Sequence, residues 1–268
     1  MNDSPDHSNM KTIHWCGSDI LLAYSDIGSG DANVYLHGWG ANRAFFHPII
    51  EPLSQTGRHI LLDLPGFGNS PPPPTPWSTV DYAECVLSFL NELAIDRCVI
   101  FGHSFGGRLA IRLGANHPQR CRALVLIAAA GLRRSVPFFK KFRICAIQYA
   151  ARAAKVVLPG KLGESIKQSL YAKIASRDYL DAGDMRETFV KVVNEDLEPL
   201  LPSIQTPVLL LYGDGDAETP PEFGRRMEKL LADAHYVELP GFDHYSILTR
   251  GRHQLEHNIT AFLKGLPQ

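Results

Sequence analysis

Ser104 stands between Gly102 and Gly106 in the run Gly102-His103-Ser104-Phe105-Gly106-Gly107, directly after the apolar stretch Cys98-Val99-Ile100-Phe101. Glycines two places before and two after a serine, between a strand-like run and a helix-like one, form the pattern of a nucleophile elbow. The turn is so tight that a Cβ at either glycine meets neighbouring backbone, and the serine is lifted clear of the sheet. The chemistry this suggests is acyl transfer. A serine hydroxyl is a poor nucleophile until an imidazole takes its proton, and that imidazole needs a carboxylate to hold its tautomer and steady its positive form. The chain offers 11 histidines and 28 acidic residues from which both must come. A lone G-x-S-x-G also fits a plain surface turn, so the surroundings must decide. His253 and His257 have the i, i+4 spacing of a zinc pair, but no third ligand is near and the bland reading is an exposed pair. No metal and no cofactor are expected.

The elements around Ser104 read as alternating strands and helices. Lys11 to Cys16 and Ile20 to Ile27, separated by Gly17-Ser18-Asp19, suggest an antiparallel hairpin, and Asn33 to Leu36 the next strand. Asn42 is a candidate N-cap for a helix whose inner side carries Phe45, Phe46, Ile49, Ile50 and Leu53. The unbroken run Ile60-Leu61-Leu62 reads as a buried strand. Pro71 to Pro74 and Pro76 exclude helix and inner strand, and predict a stiff extended loop ending at Trp77. The pattern then predicts a helix from Asp81 to Leu93, strands from Arg97 to Phe101 and Ala123 to Ile127, and a helix from Phe105 to Asn116 between them. From Ala128 to about Pro202 strand rhythm gives way to helical periodicity, and Val208 to Leu211 resumes the sheet. A helix over Glu222 to Ala232, a strand over His235 to Leu239 and a helix over His253 to Phe262 close the chain.

With those runs in place the chain resembles the α/β-hydrolase family. Three motifs besides the elbow carry the likeness: His37-Gly38-Trp39-Gly40, Asp216 after Leu209-Leu210-Leu211-Tyr212-Gly213, and His244 after Leu239-Pro240-Gly241-Phe242-Asp243. The chain order Ser, Asp, His, with 112 residues from Ser104 to Asp216 and 28 more to His244, is similar to this family and unlike the chymotrypsin or subtilisin order. The resemblance implies an α/β fold with a mostly parallel eight-stranded sheet, helices on both faces and an inserted helical cap. It sets residues 1–10 as a disordered lead-in, 11–130 and 203–268 as the hydrolase core, and 131–202 as the cap. His37-Gly38-Trp39-Gly40 and Asp63-Leu64-Pro65-Gly66-Phe67-Gly68 resemble more particularly the pimeloyl-[acyl-carrier protein] methyl ester esterases.

The same resemblance assigns roles. Ser104 is the expected nucleophile, His244 the base and Asp216 the acid, with Asp214 and Asp243 as competing carboxylates; Ala128-Ala129-Ala130-Gly131 offers none after the preceding strand. The family's oxyanion hole maps onto the backbone N–H groups of Phe105 and Trp39. His103 and His37 read as packing residues. A serine at 104, not an aspartate, argues against the carboxylate-nucleophile branches, so carboxylic ester hydrolysis is the expected activity. A thioesterase, a carbon–carbon bond hydrolase, an acyltransferase or a slow-turnover small-molecule receptor would use the same groups.

Composition limits the rest. At 268 residues and 45% hydrophobic, the chain suits one large domain with an insertion, and a net charge of −1 gives no reason to expect a nucleic-acid partner. Met1 to Met10 is too polar for a signal peptide, no apolar run reaches membrane-span length, and the five scattered cysteines suit reduced thiols, so a cytoplasmic setting is expected. Charge is uneven all the same: residues 131–175 hold ten lysines and arginines against Glu164 alone. On a helix from Phe138 to Leu158, Lys140, Lys141, Arg152 and Lys155 share one arc opposite an apolar stripe. That arc is either a solvated face or a docking surface for something acidic, such as a carrier protein or anionic lipid, and the expected partner is a small-molecule ester, acidic or carrier-linked.

Overall fold

The computed structural model describes residues 9–133 and 177–267. Eight strands among them form one sheet in the order β1-β2-β4-β3-β5-β6-β7-β8. These are β1 (Asn9–Trp15), β2 (Ser18–Ile27), β3 (Ala32–Leu36), β4 (Arg58–Leu62), β5 (Cys98–His103), β6 (Cys121–Ile127), β7 (Val208–Gly213) and β8 (Ala234–Leu239). The β1–β2 and β2–β4 pairs are antiparallel and the remaining pairs parallel. The expected mostly parallel α/β sheet is therefore what forms.

The hairpin opens the sheet two residues earlier than expected, at Asn9, where the lead-in was set to end at residue 10. Its turn is Cys16-Gly17, both with positive φ (49° and 75°), so Trp15 pairs directly with Ser18. A two-residue turn of this hand matches the twist of its strands and leaves Ser18 and Asp19 to β2.

Helices cover both faces. Tyr35, Leu61, Val99, Phe101, Val125, Leu209 and Leu211 point to one face and pack in a single buried cluster with α1 (His47–Leu53), α7 (Ser246–Thr249) and α8 (Arg252–Lys264). Tyr35 stacks on Phe101 at 4.4 Å between centroids. Against the opposite face lie α2 (Thr79–Glu92), α3 (Phe105–Asn116) and α6 (Pro221–Leu230). Strand alternation makes this two-sided burial possible, and it explains why β3, β5 and β7 are buried at every position.

Local signals set the helix starts. Asn42 Oδ1 accepts from the Ala44 N–H at 3.0 Å, as expected of a cap, but the segment it opens is a 3-10 turn, Arg43–Phe46, that leads into α1. Helix α2 starts at Thr79, two residues ahead of expectation, because Ser78 and Asp81 form a reciprocal capping box. Pro71, Pro72 and Pro74 are exposed while Trp77 is buried edge-on against Trp15, 4.7 Å away, so the proline stretch is a surface loop anchored at its end.

The chain divides at 132/133 and 190/191 into two compact units. In the second, α4 (Arg177–Asp181) and the start of α5 (Arg186–Asn194) carry an Arg186 guanidinium 5.2 Å from the Tyr179 ring centre. Residues 191–202, expected in the cap, group with the first unit. The Glu195 carboxylate accepts from the Thr79 N–H at 3.0 Å and from Arg112 at 2.9 Å, and Leu197 N–H donates to Gly131 O at 2.9 Å. The basic arc of Lys140, Lys141, Arg152 and Lys155 lies outside the described residues.

Candidate active site

The sheet's order reverses between β3 and β5, which puts the loops after these two strands side by side at their C-terminal ends. Such a switch point opens a crevice where open α/β sheets take their ligands. Ser104 sits there, between the end of β5 and the start of α3, with φ 51° and ψ −109°. A non-glycine residue in this region is strained, and three bonds hold it: Ser104 N–H to Ile127 O (3.2 Å), and Ser104 O from Gly107 N–H and Ala130 N–H (both 3.0 Å). A Cβ at Gly102 would lie 2.5 Å from Gly106 O, and one at Gly106 would run into Leu36 O. Both glycines are steric requirements of the turn.

Asp216 follows β7 and His244 follows β8, 28 residues apart in sequence, and His244 Nδ1 meets Asp216 Oδ2 at 2.7 Å. A carboxylate only accepts, so the proton is on Nδ1 and Nε2 is the basic nitrogen. Asp216 is nearly fully buried. Burial alone would raise its pKa, but the His244 hydrogen bond and charge, with the Thr219 N–H and hydroxyl, outweigh that and hold the carboxyl below the usual value. The competing carboxylates are engaged elsewhere. Asp214 Oδ1 accepts from Gly241 N–H at 2.7 Å, and Asp243 Oδ1 from the N–H groups of Tyr245 and Ser246 at 3.1 and 2.8 Å.

Thr219 is a neighbour that sequence reasoning missed. Its hydroxyl lies 2.8 Å from Asp216 Oδ2, 2.8 Å from Ala128 O and 3.1 Å from His244 Nδ1, and its N–H donates to Asp216 Oδ1 at 2.8 Å. The signal available was the D-x-x-T spacing, in which an aspartate accepts from backbone two and three residues on. Glu218 was also missed. Its Oε2 lies 3.5 Å from His244 Nε2 and 3.3 Å from the Tyr245 hydroxyl.

The Ser104 hydroxyl makes no hydrogen bond among the described residues. His103, the residue before Ser104, has its ring centre 4.8 Å from that of His244. His103 Nε2–H donates to the His244 carbonyl at 3.0 Å. Burial, and then the neighbouring His244, lower the His103 pKa to about 3, so His103 is a neutral support. His37 has a similar part. Its Nδ1–H donates to Gly38 O at 2.8 Å and its Nε2 accepts from Leu64 N–H at 3.0 Å, tying the loop after β3 to the loop after β4, and burial lowers its pKa to about 4. Both are buried, as expected of packing residues, and both also place hydrogen bonds.

Trp39 and Phe105 stand together, their ring centres 5.5 Å apart. The Phe105 N–H opens α3, where a first-turn donor has no intrahelical acceptor and the helix dipole favours negative charge. Beneath this rim a buried Arg43–Asp63 ion pair locks the two loops further: Asp63 also accepts from Arg43 N–H at 2.7 Å and Asn69 N–H at 2.9 Å. His253 and His257 are exposed on α8, and no group of three His, Cys, Asp or Glu among the described residues is placed to hold a metal ion. No helix among them is long and apolar enough to cross a membrane.

A family model described as alpha/beta hydrolase fold matches residues 34–164, and one described as TAP-like protein matches 190–266. The pimeloyl-[acyl-carrier protein] methyl ester esterase of Pseudoalteromonas atlantica is 30% identical over 243 residues, covering 82% of this chain and 88% of that one. Its namesake in Aeromonas hydrophila is 40% identical over 112 residues, 41% of this chain and 42% of that one. A thermophilic esterase from Thermogutta terrifontis superposes with a TM-score of 0.72 at 22% identity, over 96% of this chain and 98% of that one. By its elbow, its sheet order and a relative matched over most of both lengths, the chain belongs to the α/β-hydrolase family.

Proposed function

We propose that this hydrolase is a serine esterase that cleaves carboxylic esters through an acyl-enzyme on Ser104. The observation that carries the reading is the 2.7 Å His244–Asp216 pair, in ring contact with His103, the residue before an elbow serine at the sheet's switch point. In the proposed reaction Ser104 Oγ attacks the ester carbonyl carbon while His244 Nε2 takes the hydroxyl proton. The carbonyl oxygen becomes an oxyanion facing the Phe105 and Trp39 N–H groups, and the buried Asp216 carboxylate stabilises the imidazolium. The C–O bond to the alcohol then breaks, His244 returns the proton to the departing oxygen, and water activated by the same imidazole releases the acid. The residues need no metal or cofactor for these steps.

The likeness to esterases whose name specifies a carrier-linked methyl ester supports small esters, including ones on an acidic carrier, as the substrate class. The ten basic residues of 131–175 suit such a carrier, the segment 131–202 or a part of it serves as cap, and the reduced-thiol composition suits a cytoplasmic setting. The experiment is rapid mixing with a nitrophenyl ester. An initial release of nitrophenol equal to the enzyme concentration, absent in Ser104→Ala, is the expected result; hydrolysis that persists in Ser104→Ala would overturn the proposal.

A further inference from the structure

We propose that Asp63 is a positioning residue for the oxyanion hole: together with Arg43 it fixes the loop that presents the Trp39 N–H. The inference rests on the esterase reading above, with Trp39 as one oxyanion donor, and assigns the group that sets that donor's place. Trp39 lies in the loop after β3, between His37 and Arg43. The near end of this span is tied at His37, whose carbonyl accepts from Gly106 N–H at 3.0 Å and whose Nε2 accepts from Leu64 N–H at 3.0 Å. The far end is tied at Arg43, whose N–H donates to Asp63 Oδ1 at 2.7 Å and whose guanidinium pairs with Asp63 Oδ2. Asp63 and Leu64 are adjacent, so the two residues that follow β4 pin both ends of the span that carries Trp39.

Asp63 also shapes what the Trp39 ring rests on. Its Oδ2 accepts from Asn69 N–H at 2.9 Å and its carbonyl accepts from the Ser70 hydroxyl at 2.7 Å, which closes the loop that carries Phe67. The Phe67 ring meets Trp39 edge-on at 4.9 Å. Gly68 belongs to the same arrangement, since a Cβ there would run into the Asp63 carboxylate. The carboxylate is fully buried and the guanidinium nearly so. A buried ion pair adds little stability over apolar residues of similar volume, so stability alone is a weak reason for its presence. What the pair supplies is direction: three donors from two loops converge on one carboxylate. A donor misplaced by about 1 Å can cost roughly 100-fold in rate, because it no longer meets the forming oxyanion at hydrogen-bond distance.

The test measures kcat/KM on the full chain for a nitrophenyl ester and for its thiono analogue, in which sulfur replaces the carbonyl oxygen. Sulfur is the weaker hydrogen-bond acceptor, so the oxygen ester draws more on the hole, and the oxygen-to-sulfur rate ratio reports how well the donors are placed. In Asp63→Asn an amide NH2 meets donors that the carboxylate accepted from, the far end of the span loosens, and the ratio should fall by about tenfold or more, mainly through kcat of the oxygen ester. The acid limb of the pH profile should keep its wild-type position, because the hydrogen bonds of Asp63 run to Arg43, Asn69 and Ser70 and not to the acid–base pair. If Asp63→Asn does not fold, Asp63→Asn combined with Arg43→Met leaves no buried ion unpaired and should show the same lowered ratio. An unchanged ratio, with both esters slowed alike or neither slowed, would overturn the assignment and leave the esterase reading standing. A wild type that does not hydrolyse the oxygen ester would overturn both.

Discussion

Replacing Thr219 by valine keeps the volume of the side chain and removes one hydroxyl from beneath the acid–base pair. That hydroxyl lies 2.8 Å from Asp216 Oδ2 and 2.8 Å from Ala128 O, and it has one hydrogen to give. Asp216 is nearly fully buried and accepts from His244, Glu218 N–H, Thr219 N–H and the hydroxyl, so valine deletes one of four donors to a carboxylate that water hardly reaches. A hydrogen bond to a charged group contributes about 1.5–3 kcal/mol, which corresponds to roughly 10- to 150-fold if the whole loss falls on the imidazolium-forming transition state. The expected result is a drop of that order in kcat on a nitrophenyl ester, with KM nearly unaltered. Stability should fall too. Because the folded pKa of Asp216 lies below its ordinary value, its contribution is fully present above that ordinary value and is lost as pH falls through the folded one. Weakening the donors in Thr219→Val moves that loss to higher pH, which thermal melts across the acid range would reveal. Thr219→Ser restores the hydroxyl and should recover most of kcat. A valine variant with wild-type kcat and an unshifted acid transition would show that the hydroxyl does not support Asp216, as would a serine variant as slow as valine.

The remaining expectations are simpler. Ser104→Ala and His244→Ala should lower kcat by about 10⁶-fold and Asp216→Asn by about 10⁴-fold, with Asp214→Asn nearly neutral; the reverse order for the two aspartates in steady-state assays would reject the acid assignment. Acidification should reduce kcat/KM, because a protonated base cannot take the serine proton, while His37 and His103, with pKa values lowered to about 4 and 3, stay neutral; a flat profile on folded enzyme would count against a histidine base. Those two buried histidines should also make the fold acid-labile: unfolding frees them to bind protons below about pH 6.5, at a cost of roughly 2 kcal/mol each by pH 5, so a melting temperature insensitive to pH between 7 and 5 would contradict their burial as neutral groups. Dialysis against a chelator should leave esterase activity intact, and activity lost and then restored by a metal would show a requirement absent from this account.

The family and its sheet were legible because their signals are local. Two glycines around Ser104, unbroken apolar runs at β4, β5 and β7, and the short motifs that carry Asp216 and His244 each occupy a few consecutive residues. Element ends were less legible where a short-range bond decides them: the Cys16-Gly17 turn gave Ser18 and Asp19 to β2, and the Ser78–Asp81 box moved α2 forward to Thr79. Thr219 and Glu218 escaped because their significance comes from apposition. Each is a polar residue in a loop, and only the pairing of β7 with β8 places them against an imidazole some 25 residues away. Residues 191–202 were hard to divide from the helical stretch before them for the same reason, since what joins them to the core is the contact of Glu195 with Thr79 and Arg112, more than 80 residues earlier. The basic arc at Lys140 to Lys155 remains a statement about sequence alone.

An activated Ser104 nucleophile is open to covalent labelling. Treatment of the folded chain with a fluorophosphonate, followed by peptide mass spectrometry, should give a single adduct on the peptide carrying Ser104. The adduct should form at a rate that falls sharply in His244→Ala. A chain that stays unlabelled, or one labelled at another serine with Ser104 untouched, would contradict the account.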